Sequence, residues 1–191
     1  MVGEVAPVDK TVTYGTELTS LSGASKCWIT QNLGSSNQAT APDDATEASS
    51  GWYWQFNRKQ GYKHDGTTRT PGTAWITSIS ETSDWLPAND PCTIEFGTGW
   101  RIPTFTEWTN ADANGAWTTY TNTYGSVLKI AASGFLSNTD GTLDLRGTNG
   151  YYWSSSQYDA THTYFLRLLS SGSNMASNFK AYGFTLRCLR D

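Results

Sequence analysis

The sequence predicts an α+β fold, with short helices packed on a small twisted antiparallel sheet and long irregular loops between them. Three observations carry that reading. Nine Trp, ten Tyr and seven Phe stand beside 48 Ser and Thr among 191 residues, and aromatics with threonine favour strands. Eighteen glycines, several in Asn-Gly and Asp-Gly pairs, supply turns. Leucine-rich stripes at helical spacing are nearly absent, so helix is confined to short segments. A chain of this length buries roughly 70% of its unfolded surface. With no internal repeat and no linker, residues 1–191 form one domain.

Residues 1–20 read as a lead-in segment with one short alternating strand at Thr11–Tyr14. Lys26–Leu33 is the first firm strand. A polar loop over 34–50 precedes the aromatic knot Trp52-Tyr53-Trp54-Gln55-Phe56. Residues 57–99 show no lasting periodicity, and so long an irregular region inside a domain is normally functional or pinned down. Thr104 and Glu107 have capping-box spacing, which starts a helix that ends near Asn114-Gly115. Trp117–Tyr124 forms a second short helix. Strands follow at Leu128–Gly134, Leu143–Arg146, Tyr151–Ser155, His162–Leu169 and Gly183–Arg190, with a turn at 138–141.

Composition excludes several functions. Thirteen basic against 17 acidic residues leave a net charge of −4, and no Lys or Arg run offers a nucleic-acid footprint. The longest mostly apolar stretch, Ser126–Leu136, is far short of a membrane span. Met1-Val2-Gly3-Glu4 lacks the regions of a signal peptide, so the protein is either not secreted or begins after a removed leader. No nucleophile elbow or P-loop occurs, and Gly97-Thr98-Gly99 lacks a dinucleotide site's third glycine. Two histidines, His64 and His162, fit no zinc pattern. Asn138, Asp140 and Asp144 fit a hairpin turn better than a calcium loop. No metal site, cofactor or catalytic pair is expected. Three cysteines permit at most one intramolecular disulfide. Period two puts Phe184, Leu186 and Cys188 on one face of the last strand, which buries Cys188. Three free thiols in a reducing compartment are the alternative to a bridge.

Lys26-Cys27-Trp28 through Asn32-Leu33-Gly34 resembles the "CW-x-x-x-NLG" opening of the Fibrobacter succinogenes major paralogous domain. Asp90-Pro91-Cys92, then Gly99-Trp100-Arg101-Ile102-Pro103-Thr104 and Glu107-Trp108, resemble its "NPCP-x-GWRLPT-x-x-EW" centre. Leu128–Gly134, Asp140–Leu143, Gly150–Ser156 and Ala181–Asp191 match later blocks in order, so the resemblance covers 26–191. It implies a C-type-lectin-like fold of the formylglycine-generating-enzyme subclass and a disulfide between Cys92 and Cys188, with Cys27 left over. Thr93–Thr98 is longer than the family's spacer, which bears on the bridge's geometry. No cysteine lies between Cys92 and Cys188, so the catalytic pair of the formylglycine-generating enzymes is missing, and lectin-type calcium motifs are missing too.

The resemblance therefore implies a non-enzymatic ligand-binding or adhesive domain. Its setting would be extracellular, at a cell surface or on a virion. Its partner would be a protein or glycan on another cell or macromolecule. A second reading is a variable protein of a diversity-generating retroelement, bacterial or viral, with diversified receptor-binding residues in 155–182. An enzyme is the third. The family's pattern puts Leu166 and Leu168 in the core, leaving Phe165 and Arg167 outward. The expected binding patch is Tyr158, Asp159, Phe165, Arg167, Asn174, Met175, Asn178 and Lys180, because aromatic and Arg anchors among small polar residues suit macromolecular ligands. A deep pocket elsewhere, lined by convergent titratable groups, would instead favour the enzyme.

Overall fold

The computed structural model describes residues 5–191. The first half carries β1 (Thr16–Thr19), β2 (Lys26–Ile29), α1 (Glu47–Ser50), β3 (Tyr53–Trp54), β4 (Gly61–His64) and β5 (Arg69–Thr70). A 3-10 turn at Pro87–Asn89 then leads to α2 (Pro91–Phe96), β6 (Trp100–Arg101), α3 (Phe105–Asn114) and α4 (Tyr120–Gly125). The remainder is β7 (Phe135–Leu136), β8 (Leu143–Asp144), β9 (Gly150–Gln157), β10 (His162–Leu169), β11 (Gly172–Phe179) and β12 (Leu189–Arg190). The fold is thus α+β, with short helices and several small antiparallel sheets. The strand orders are β1-β2-β12-β6, β11-β10-β9, β3-β4-β5 and β7-β8.

Helix α3 forms where its local chemistry dictates. The Thr104 hydroxyl accepts from Glu107 N–H at 3.2 Å, and Glu107 Oε2 accepts from Thr104 N–H at 2.8 Å. Trp108, one turn in, is fully buried and lies 5.1 Å from Trp28, ring centre to ring centre. Thr104→Ala removes one half of the box and should cost about 1 kcal/mol. Urea denaturation of the variant checks this, and a cost near zero would show that the cap contributes nothing.

The two largest of three hydrophobic clusters lie on opposite faces of the β9–β10–β11 sheet, and a third, smaller one gathers Tyr53, Tyr62 and Leu136. Trp28, Trp108, Leu128, Tyr152, Leu166 and Leu168 belong to the cluster under α3. Trp54, Phe56, Trp153, Phe165, Phe184 and the Cys92–Cys188 pair belong to the other. Arg187 runs into the interior fully buried. Its guanidinium donates to Asn32 Oδ1, Ile29 O, Leu128 O and Lys129 O at 2.7–3.2 Å. Burial lowers its pKa to about 10, and among the described residues the ring of carbonyl dipoles holds the charge without a carboxylate.

Four sequence expectations need correction. Thr11–Tyr14 is not a strand; the first strand is β1, beginning two residues later. Leu128–Gly134 is not extended, because Lys129 sits at φ 51°, and the carbonyls of Leu128 and Lys129 are spent on Arg187 rather than on a ladder. Gly183–Arg190 forms a ladder only at its end. Before β12, its residues bond one by one to separate partners: Gly183 to Leu136, Phe184 to Trp54, Thr185 to Tyr151 and Trp153, Leu186 to Leu33. The polar stretch after Leu169, for which the sequence predicts no strand, contains β11.

The stretch 57–99, irregular apart from β4, β5, the 3-10 turn and α2, is pinned by side chains that bond backbone. Gln55 Nε2 holds Ile76 O and Ala181 O, and Asn57 Oδ1 holds Leu86 N–H. Helix α2 is signalled locally: Asp90 caps it, Pro91 opens it and Gly97 at φ 87° closes it.

Candidate functional site

Strands β9, β10 and β11 form a meander whose register sorts every side chain. Lys180 N–H bonds Thr161 O beyond the strand ends. In antiparallel pairing this makes Thr163/Asn178, Phe165/Ala176 and Arg167/Asn174 the doubly bonded pairs. The backbone groups of Ser173, Met175, Ser177 and Phe179 therefore point away from β10, along the sheet's free edge. Several are capped locally. Asn174 Nδ2 donates to Met175 O at 2.9 Å, Asn178 Oδ1 accepts from Phe179 N–H at 2.9 Å, and Tyr182 N–H bonds Phe179 O.

The expected patch divides. Arg167, Asn174 and Asn178 share one sheet face, and the Arg167 guanidinium donates to Asn174 Oδ1 at 3.0 and 3.2 Å. Tyr158 and Asp159 stand on the β9–β10 turn, exposed. Tyr158 leans edge-on against Tyr164 at 5.3 Å. Asp159 accepts from the backbone N–H groups of Thr161 and His162, which hold its carboxyl well below the usual carboxylate range. Its evident work is closing that turn.

Three members are not exposed as expected. Phe165 is 3% exposed, because β10 is the central strand and is covered on both faces; alternation separates two faces without saying which is wet. Met175 lies on the opposite face, half-buried against the cluster under α3. Lys180 is fully buried. The chain turns inward after β11, so its ammonium donates to Glu81 O at 2.6 Å and Gln157 Oε1 at 3.1 Å and sits over Phe56.

Beside Asn178 the sheet face carries a feature that sequence reasoning missed. Phe135, Leu145, Tyr151, Asn178, Tyr182 and Phe184 frame an aromatic cup of about 180 Å³. Phe135 meets Tyr151 and Tyr182 edge-on at 5.0 and 5.4 Å. Asn149 Nδ2 donates to the Tyr151 hydroxyl at 3.0 Å, which fixes that ring. Arg167 pairs with Tyr151 across β9–β10, so the two side chains share the sheet face that carries the cup. The cup is assembled from β7, the loop after β8, β9, β11 and the 182–184 segment, and no local sequence pattern announces it.

A second concavity, of about 300 Å³, is framed by Trp85, Asp90, Trp100, Arg101, Ile102 and Asp191, among others. Asp90 is 4% exposed. Its Oδ1 accepts from the N–H groups of Cys92 and Thr93, and its Oδ2 from Ile102 N–H at 2.9 Å. Burial is the leading influence and pushes its carboxyl up to about 6. Arg101 grips Glu107 through two bonds of 2.7 and 2.8 Å and Asp191 through two more of 2.7 and 2.9 Å. Lys26 reaches the same two carboxylates. Behind this wall Cys92 and Cys188 are joined, with Cα atoms 5.6 Å apart, and Cys27 is free and half-buried.

Residues 113–189 match the family described as a domain of unknown function (DUF8237). No curated protein and no solved structure matches the chain. The matched stretch contains the whole aromatic cup and the β9–β10–β11 sheet, and it ends before Arg190. Among the described residues no group of three or more His, Cys, Asp and Glu is placed to hold a metal, and no helix is long and apolar enough to cross a membrane.

Proposed function

We propose that the protein is a non-enzymatic ligand-binding or adhesive domain on a C-type-lectin-like scaffold. Its contact surface is the cup with Arg167, Asn174 and Asn178 at the rim, and its ligand is a protein or glycan borne by another macromolecule. The observation that carries this reading is the coincidence, on one sheet face, of partly uncovered Tyr and Phe rings, an Arg without a carboxylate partner among the described residues, and adaptable amides. Such composition supplies rigid anchors and fit together. A protein whose stability rests on a buried disulfide suits an oxidising setting outside the cell.

The test is capture on protein and glycan arrays by a multivalent form of the domain. Replacing Arg167 and Asn174 together by Ala should abolish capture by the array component that binds. Because both side chains are at least partly exposed, the double variant should unfold within about 0.5 kcal/mol of the parent. Undiminished capture would move the contact surface elsewhere. Phe165 is unsuitable for this purpose, since Phe165→Ala would hollow the core and cost about 3–5 kcal/mol.

The retroelement reading draws support from one observation. Tyr158, Asn174, Ser177 and Phe179 are exposed positions of a single meander and belong to none of the core clusters, so their side chains can change without disturbing the interior. A reverse-transcriptase gene beside this one, with a near-copy of the region coding for 155–182, would establish it. Its absence from the neighbourhood would remove that reading.

A further inference from the structure

We propose that the concavity at Asp90 is a second binding site, sharing no residue with the cup, that takes the head group of a small organic cation, an alkylammonium or alkylguanidinium. The argument begins with charge. Asp90 is a carboxylate in the interior, and no Lys, Arg or His among the described residues lies within ion-pair distance of it. Unpaired buried charge is costly, and the structure would be relieved by a counter-charge. Arg101, the nearest cation, is already committed to Glu107 and Asp191. Three backbone N–H groups occupy part of the Asp90 carboxylate, yet Oδ2 receives only one of them and keeps acceptor capacity.

The walls fit the rest of such a ligand. Trp100 and Trp85 contribute aromatic surface, which attracts a cation through the ring quadrupole. Pro87 and Ile102 offer apolar contact for a short alkyl chain, and the volume of about 300 Å³ leaves room for both parts. A concave site with aromatic walls and a buried carboxyl is an arrangement small ligands use.

The probe is n-butylammonium, with n-butanol as its neutral counterpart and butyrate as its anionic one. The measurement is saturable shifts of the Trp85 and Trp100 indole N–H resonances and of the Thr93, Gly99 and Ile102 amides. Butylammonium should bind at least tenfold more tightly than butanol, and butyrate should not bind. Asp90→Asn keeps a good helix cap and should remove that preference.

If the variant does not fold, pH replaces it. Of the charged groups around Asp90, Arg101 is raised, Glu107 is lowered and Asp191 is lowered to about 2. Lys26 sits behind them, Arg190 projects past Gly99 at the mouth, and Glu95 on α2 faces a different depression with Tyr14. Asp90 alone has a pKa placed near 6. Its carboxyl is about nine-tenths protonated at pH 5 and almost fully ionised at pH 7.5, so butylammonium affinity should fall about tenfold on acidification. A capped lysine amide then separates sources: tighter binding than butylammonium points to a peptide side chain, and weaker binding to a free amine. Equal binding of butanol, shifts produced by butyrate, or pH-independent affinity would each overturn the proposal.

Discussion

Trp153→Ala should lower the stability of the fold by about 3–5 kcal/mol. The indole is fully buried in the cluster that also holds the disulfide. It lies 4.0 Å from Phe184 and 6.2 Å from both Phe56 and Phe165, centre to centre, and its Nε1 donates to Trp54 O at 2.6 Å. Removing it empties the space between three rings that belong to different segments. Urea denaturation measures the loss. Leu18→Ala, at a position 71% exposed, is the control and should stay within about 0.5 kcal/mol. Similar small effects of both would mean that the Trp153 site collapses onto itself.

The second large effect belongs to the disulfide. The Cys92–Cys188 bond joins residues 96 apart, and in the chain-entropy model a loop of that size is worth up to about 4.7 kcal/mol. Cys188→Ala should cost about 2–5 kcal/mol, since native disulfides of small domains fall in that range. Mass spectrometry of a non-reduced digest should show the Cys92–Cys188 peptide and Cys27 alkylated beforehand. A Cys27–Cys188 peptide, or three alkylated thiols, would contradict the pairing.

What was legible in the sequence was local. The capping box fixed α3, because both its partners lie within one turn, and alternation gave the bounds of β10. The disulfide pairing came from the resemblance, since counting cysteines leaves every pairing open. Strand β11 escaped notice because an edge strand with one wet face and Asn side chains capping its own backbone carries no apolar alternation. Phe165 and Arg167 share parity but differ in burial, for the segment ending at Phe184 covers one end of that face and not the other. The cup and the Asp90 concavity are built from elements far apart in sequence. Only Asp90 leaves a local mark, as an acid before Pro91 at a helix start, and that mark reads as a cap.

Strand β12 sits between β2 and β6, and residues 183–188 tie Leu136, Trp54, Tyr151 and Leu33 together. On the ribosome, this order of assembly works against early folding. Strand β2 pairs early with β1, but Trp28, Ile29 and Leu33 wait for their second partners until Leu189 has been made. At 5–20 residues per second that delay is roughly 10–30 s, with most of the tryptophans already synthesised and uncovered. A nascent chain halted before residue 183 would lack the strip that bonds all four sheets and one half of the disulfide. Such a chain is expected to be a substrate for holdase chaperones or for translocation as an unfolded polypeptide, and to become protease-resistant abruptly rather than in stages.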